Sequence, residues 1–278
     1  MKHLFDNVSI HCSQVITRSY STSFTLGIKL LGKEFRNPVY SIYGFVRSAD
    51  EIVDSFHGYD KKSLLTRFRA DTFEAIRSGI SVNPVLNAFQ NTVNHYKIDD
   101  ELIDQFFSSM FMDLEFKTYN RDKFDDYVVG SAEVVGLMCL RVFTHDREGL
   151  YDELEFSARK LGSAFQKVNF LRDLNADFEG LERCYFPGID PENLSEKEKI
   201  NIEEEIEEEF SQGLEGIRKL PAGARKGVYL AYFYYLELLN RIKTVPAEKV
   251  LSERIRIPNF LKIILMFQAY LRYKLNKI

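Results

Sequence analysis

Apolar residues three and four positions apart recur along most of this 278-residue chain, in segments around 40–56, 63–78, 101–118, 127–143, 151–178, 201–219, 225–243 and 260–276. That spacing stacks apolar side chains on one face of a helix. No stretch alternates apolar and polar residues as a half-buried strand does. The period predicts an all-α fold. Helix breaks are expected where turn chemistry concentrates, at Asn37-Pro38, Ser78-Gly79, Asn83-Pro84, Pro187-Gly188, Asp190-Pro191, Pro221 and Pro246. No repeat, low-complexity tract or flexible linker interrupts the pattern, so one domain over residues 1–278 is expected.

Charge excludes several classes. With 41 acidic and 37 basic residues the net charge is -4, and no nucleic-acid partner is expected of a chain without a basic excess. Cys12, Cys139 and Cys184 are odd in number and far apart, which disfavours a disulfide framework or thiolate zinc and suggests a reducing, cytoplasmic setting. The start MKHLFDNVSIHC lacks the apolar run of a signal peptide. About 18 apolar residues never run uninterrupted, so no membrane-spanning helix is expected. The run EEEIEEE at 203–209 reads as a solvated helix face. Segment 254–278 is different: Arg254, Arg256, Lys262, Arg272, Lys274 and Lys277 are interleaved with apolar residues and no acid, a basic amphipathic end suited to peripheral membrane contact.

Chemistry concentrates in two segments. In YSIYGFVRSADEIVDSF, Tyr43, Arg47, Asp50 and Asp54 are spaced by four, three and four, which makes one polar stripe on an otherwise apolar helix. In LGSAFQKVNFLRDLNADF, Gln166, Asn169, Asp173 and Asp177 repeat the device. Like charges one turn apart repel, and more so when desolvated. A divalent cation removes that penalty, and removing one acid should relieve repulsion in the metal-free protein. Hard oxygen ligands without His or Cys favour Mg2+, or Mn2+, over zinc, with Asp50, Asp54, Asn169, Asp173 and Asp177 as candidate ligands. Magnesium on few carboxylates completes its shell with water and phosphate oxygens. Arg47 and Arg172 beside the acids suit phosphate, and the hydroxyls of residues 20–24 add donors. No GxxxxGK[ST] loop, GxGxxG turn, HExxH or GxSxG elbow is present.

On these residues the chain resembles the squalene/phytoene synthase family, the head-to-head prenyl synthases, over about residues 8 to 275. The family's hydroxyl-rich motif looks like Ser21-Thr22-Ser23-Phe24, and its first aspartate motif matches Tyr43, Arg47, Asp50 and Asp54. Tyr127 matches a tyrosine ahead of a small-residue helix. The second motif, QxxNxxRDxxxD, matches Gln166, Asn169, Arg172, Asp173 and Asp177, and a following RxYFP matches Arg183, Tyr185, Phe186 and Pro187. A late family arginine looks like Arg254, with Arg256 the alternative match. Many members carry a basic residue where this chain has Thr22, a departure that bears on phosphate contact from that position.

The resemblance implies an isoprenoid-synthase-type helical bundle around a central cavity and a magnesium-dependent prenyltransferase acting on two prenyl diphosphates. Asp50, Asp54, Asp173, Asp177, Tyr43 and Tyr127 are the expected catalytic residues. Ser21, Ser23, Phe24, Arg47, Gln166, Asn169, Arg172, Arg183, Tyr185 and Arg254 are expected to bind substrate. Residues 127–143 look most like bacterial phytoene synthases, which implies two geranylgeranyl diphosphates joined through a cyclopropylcarbinyl (prephytoene) diphosphate to phytoene, without NADPH. Squalene or dehydrosqualene synthesis from farnesyl diphosphate is the alternative within the family, and a non-catalytic relative the alternative outside catalysis. Gly130 and Gly136 either leave room for a long chain or serve helix packing. Neighbouring enzymes of isoprenoid or carotenoid biosynthesis, and the inner face of the membrane, are the implied surroundings.

Overall fold

The computed structural model describes residues 1–190 and 192–275. Thirteen helices follow in order among them: α1 Lys2–Tyr20, α2 Thr22–Leu30, α3 Lys33–Asp54, α4 Lys61–Ser78, α5 Pro84–Tyr96, α6 Asp100–Glu115, α7 Arg121–Val128, α8 Val134–Thr144, α9 Leu150–Leu181, α10 Glu196–Lys219, α11 Ala222–Lys243, α12 Ala247–Ser252 and α13 Asn259–Lys274. No strand occurs among the described residues, only an isolated bridge between Thr118 and Cys184. The fold is all-α. Every segment with the 3–4 period lies in or overlaps a helix. Lys277 of the basic end lies outside the described residues.

The punctuation is local chemistry. Asp60 caps α4 by accepting the Ser63 N–H, and Gly79 ends it at φ 68°, a left-handed conformation that suits glycine. Asn83 caps α5 with Pro84 in its first turn, where a missing N–H costs nothing. Ser195 and Glu198 close a reciprocal capping box on α10. Asn37-Pro38 does not break the chain. Pro38 sits in the second turn of α3, where it deprives only the Glu34 carbonyl of an intrahelical donor, and the helix continues.

Helices α1, α2, α5 and α12 lie outside the segments read from apolar spacing. For α1 the reason is its buried face, which is built from Ser9, Ser13 and Thr17. Ser9 and Thr17 donate to their own helix's carbonyls at 2.8 Å. These small side chains let α3 come close: a Cβ on Gly44 would stand 2.8 Å from Ser13 Cβ. An apolar period is absent because the contact is one of size.

Two apolar clusters form the interior. One joins α2–α6 and α8 around Phe45, Phe89, Phe106 and Phe107, with Phe45 stacked on Phe89 at 3.9 Å between centroids. The other joins α7 and α9–α13 around Val168, Phe210 and Leu239, and Val228 packs against both. The acidic run at 203–209 is only partly solvated. Glu203 is buried against Lys199 at 2.6 Å, while Glu209 receives Lys167 at 2.8 Å and the Ser163 hydroxyl. Buried carboxylates on α10 are held because α9 and α10 itself supply equally buried cations.

Between α7 and α8 the helix continues through a π turn, Val129–Glu133. The Ser109 hydroxyl of α6 donates to the Tyr127 carbonyl at 3.2 Å, an insertion at the edge of that turn. The continuous helix Arg121–Thr144 is, by length and composition, long and apolar enough to cross a membrane, with charged residues sparse rather than absent. More than half of its apolar stretch is buried within the bundle, where a core helix has the same composition.

Candidate active site

Helices α3 and α9 turn their polar stripes toward one cavity of about 830 Å³. Tyr43, Arg47 and Asp50 line it from α3, and Gln166, Asn169, Arg172 and Asp173 from α9. Ser21 and Ser23 border it at the α1–α2 joint, where the Ser21 hydroxyl caps α2 by accepting the Phe24 N–H at 3.2 Å. Phe24, Tyr127 and Arg254 complete the set that the sequence motifs single out. Asp54, Asp177, Arg183 and Tyr185 do not line it. Arg183 is buried behind the wall, donating to Asp54 at 2.9 Å, and Tyr185 faces the same interior.

The electrostatics are those of crowded acids. Burial and then the neighbouring Asp54 push the Asp50 carboxyl up to about 7. Burial and then Asp173 push Asp177 up to about 7 as well. Asp54 and Asp113 repel both groups, so the acids of α3 and α9 lie within electrostatic reach of each other. Asp173 is held by cations: Arg254 grips it through two contacts at 2.6 and 3.2 Å, and Arg172 donates to it from the preceding position. Arg47 is shared between Asp50, at 3.9 Å, and Glu51, with its guanidinium over the Tyr20 ring.

Besides the Ser131 hydroxyl, two shielded polar atoms on the cavity residues have no partner. Arg47 Nε lacks an acceptor and Asn169 Oδ1 lacks a donor. Buried polar atoms rarely stay unpaired without a reason, and here an anion and a cation would satisfy them respectively. Burial, and after it the acid neighbours, raises Asp50 and Asp177, a cost that a hard divalent cation would relieve, and the donor set of Asp50, Asp54, Asn169, Asp173 and Asp177 fits one. Among the described residues no three carboxylate, imidazole or thiol side chains form a closed cage for one ion. A hard cation held by so few of these groups would complete its shell with water and phosphate oxygens.

Aromatic rings collar the space beyond the acids. Phe24 lies 5.6 Å from Tyr43 and 6.1 Å from Tyr235, and Tyr235 stacks on Phe165 at 4.3 Å. Past this collar, Phe24, Ile28, Val39, Gly136, Gly162 and Phe165 also border a second pocket of about 160 Å³, lined almost wholly by apolar side chains and glycines. Gly130 serves packing, since a Cβ there would stand 2.1 Å from Ser109 Oγ; Gly136, whose Cβ would stand 3.1 Å from the Ala158 carbonyl, serves packing and also borders both spaces.

Four residues in or behind the cavity wall were not among the site residues expected from the sequence, where Lys262 was read only as part of the basic end. Asp113 is buried and accepts the hydroxyls of Tyr119, Tyr127 and Tyr185 at 3.0, 2.7 and 3.0 Å, with Arg183 at 3.7 Å. Burial pushes its carboxyl up to about 6, with Arg183 and the Tyr127 hydroxyl opposing the shift. Tyr235 joins the collar. Ser131, in the π turn, borders the cavity with its hydroxyl unpartnered. Lys262 reaches in from α13 and donates to Thr22 Oγ1 at 2.9 Å, so a cation stands at the hydroxyl motif although position 22 carries none. Tyr235 belongs to the tyrosine-rich YLAYFYYLEL of α11, a signal that was available; the other three have no spacing partner.

A bundle of helices around an acid- and arginine-walled cavity that deepens into apolar space defines an isoprenoid-synthase-type protein. The squalene/phytoene synthase profile matches residues 17–199, so the chain belongs to that family and is a prenyltransferase of the head-to-head type. A phytoene synthase of Arthrospira platensis is 26% identical over 94% of this chain and 92% of its own length. A 4,4'-diapophytoene synthase of Staphylococcus haemolyticus is 24% identical over 63% of this chain and 61% of its own. The chain spans 60% of the length of the chloroplastic phytoene synthase 1 of Solanum lycopersicum, at 26% identity over 84% of this chain. Among solved structures, a dehydrosqualene synthase superposes with a TM-score of 0.84 at 21% identity, covering 97% of this chain and 98% of that one. The squalene synthase HpnC of Alicyclobacillus acidocaldarius gives 0.76 at 20% identity, over 86% of this chain and 94% of its own. These likenesses establish the fold.

Proposed function

We propose that the protein condenses two geranylgeranyl diphosphates head to head into phytoene, with magnesium and without a nicotinamide. The observation that carries the long-chain reading is the apolar pocket behind the aromatic collar, which extends the cavity away from the charged wall. The match to the Arthrospira platensis phytoene synthase over nearly the full length of both chains supports it.

Arg47, Arg172, Arg254 and Lys262 hold the diphosphates on the polar wall, with the hydroxyls of Ser21 and Ser23 beside them. Asp50, Asn169 and Asp173 on the cavity wall, with Asp54 and Asp177 one turn further along their helices, would hold magnesium, which would supply charge neutralisation for the departing diphosphate. The carbon–oxygen bond of the first substrate breaks, and the double bond of the second attacks the allylic cation. Loss of a proton closes the cyclopropylcarbinyl diphosphate. A second ionisation, rearrangement and proton loss give the linear product. Phe24, Tyr43, Tyr127 and Tyr235 shelter the cations with their ring faces and keep water out. The Tyr127 proton is committed to Asp113, so this residue offers the cavity its ring and oxygen lone pairs and is not a proton donor. No protein nucleophile takes part.

On this reading the protein works in the cytoplasm, at the membrane's inner face, beside other enzymes of carotenoid synthesis. Purified protein incubated with magnesium and either a twenty- or a fifteen-carbon diphosphate, with and without NADPH, tests it by product mass. A C40 hydrocarbon independent of NADPH is expected. A product dominated by squalene, formed only with NADPH, overturns the phytoene assignment and leaves the family intact.

A further inference from the structure

We propose that the outward face of α13 docks the protein on an anionic lipid bilayer, beside the cavity opening. Phe260, Ile264, Phe267, Leu271 and Leu275 are 64, 46, 61, 43 and 64% exposed. At ~100° per residue they fall within an arc of roughly 80°. Leu265 and Ala269 on the opposite side are buried in the bundle, so α13 is apolar on two faces and only one has a partner. Large apolar side chains scattered singly need no explanation, but an ordered stripe does.

Charge selects the occupant. From 254 to 275 the chain carries no acid, although the whole protein is net -4; Arg254, Arg256 and Lys262 border the cavity, and Arg272 and Lys274 on α13 are the cations left for headgroups. A second copy seated on this face about a twofold axis would bring like charges together. Anionic headgroups complement them, while the apolar stripe enters the headgroup–acyl boundary as interfacial helices do. Position agrees with this: Arg254, Ile255, Arg256, Ile257 and Pro258 line the cavity immediately before α13 begins. A greasy ligand would pass between bilayer and cavity along this edge. The argument rests on the surface and holds whichever prenyl chain the site accepts.

Co-sedimentation of the full chain with vesicles of phosphatidylcholine containing phosphatidylglycerol, and with phosphatidylcholine alone, tests the proposal. Binding to the anionic vesicles is expected, weakened by salt. Phe267→Gln/Leu271→Gln should bind at least tenfold more weakly, while Val82→Ser, altering an exposed apolar residue elsewhere, should match wild type. If circular dichroism shows the double variant misfolded, Arg272→Gln/Lys274→Gln is read instead, with the same loss expected. Absence of wild-type binding, or equal binding by a folded α13 variant, overturns the proposal. So does self-association abolished by Phe267→Gln/Leu271→Gln in a protein that ignores vesicles, which would assign the face to a second copy.

Discussion

At the scale of single residues, the two aspartate pairs differ in what holds them. Asp50 is raised above its ordinary value and is therefore stabilising only when protonated. The folded protein binds more protons than the unfolded chain between about pH 4 and 7, so this contribution is greatest at low pH and is lost as pH rises through about 7. Thermal melts of metal-free protein should show a smaller fall between pH 5 and 8 for Asp50→Asn than for wild type, with the fold intact and turnover abolished. Asp173→Asn should also abolish turnover but lower stability by about 1 kcal/mol, because it strips Arg172 and Arg254 of their shared partner. For Asp113→Ala, urea unfolding should give a loss of about 3–5 kcal/mol, as expected when a buried charge pair loses one member. The aspartate stripes were legible in the sequence because i,i+4 spacing is itself geometry. Asp113 was not, since its partners lie 6, 14, 70 and 72 positions away and nothing local marks it.

At the scale of elements, helix-to-helix distance is set by glycine at the α9–α10 and π-turn contacts. A Cβ on Gly216 would stand 2.4 Å from Ser157 Cβ, and one on Gly162 2.7 Å from the Ala132 carbonyl. Backbone cannot yield there as a side chain can. Gly162→Ala should therefore cost about 1–3 kcal/mol by chemical denaturation. Gly27→Ala should be nearly neutral, because its Cβ would meet the Gly227 carbonyl at 3.5 Å and the Ala231 Cβ at 3.9 Å, both ordinary contact distances. Apolar periodicity revealed the long helices α3, α9, α10 and α11, whose buried faces each include large apolar side chains. It missed α1, whose buried face is hydroxyls, and it broke α3 at a proline that the second turn accommodates. Burial of Glu203 and Glu209 was equally invisible, for the cations they meet are matched in space and only Lys199 is a helical neighbour.

At the scale of the molecule, two helices far apart in sequence bring Asp50 and Asp173, their arginines and an aromatic collar to one cavity that ends in apolar space, with Asp54 and Asp177 one turn further along each helix. The α3 and α9 stripes could be paired in advance because each was incomplete alone. What the pairing could not reveal was how the wall is finished, with Lys262 arriving from α13 and Ser131 from a π turn. The central claim is that this wall binds magnesium and diphosphate together. Isothermal titration of magnesium into protein with and without inorganic diphosphate tests it most directly, at pH 8 where the raised aspartates are ionised. The account predicts weak magnesium binding alone, at least tenfold tighter binding with diphosphate, and loss of that gain in Asp50→Asn. Equal magnesium affinity with and without diphosphate, or a gain unchanged in Asp50→Asn, would contradict it.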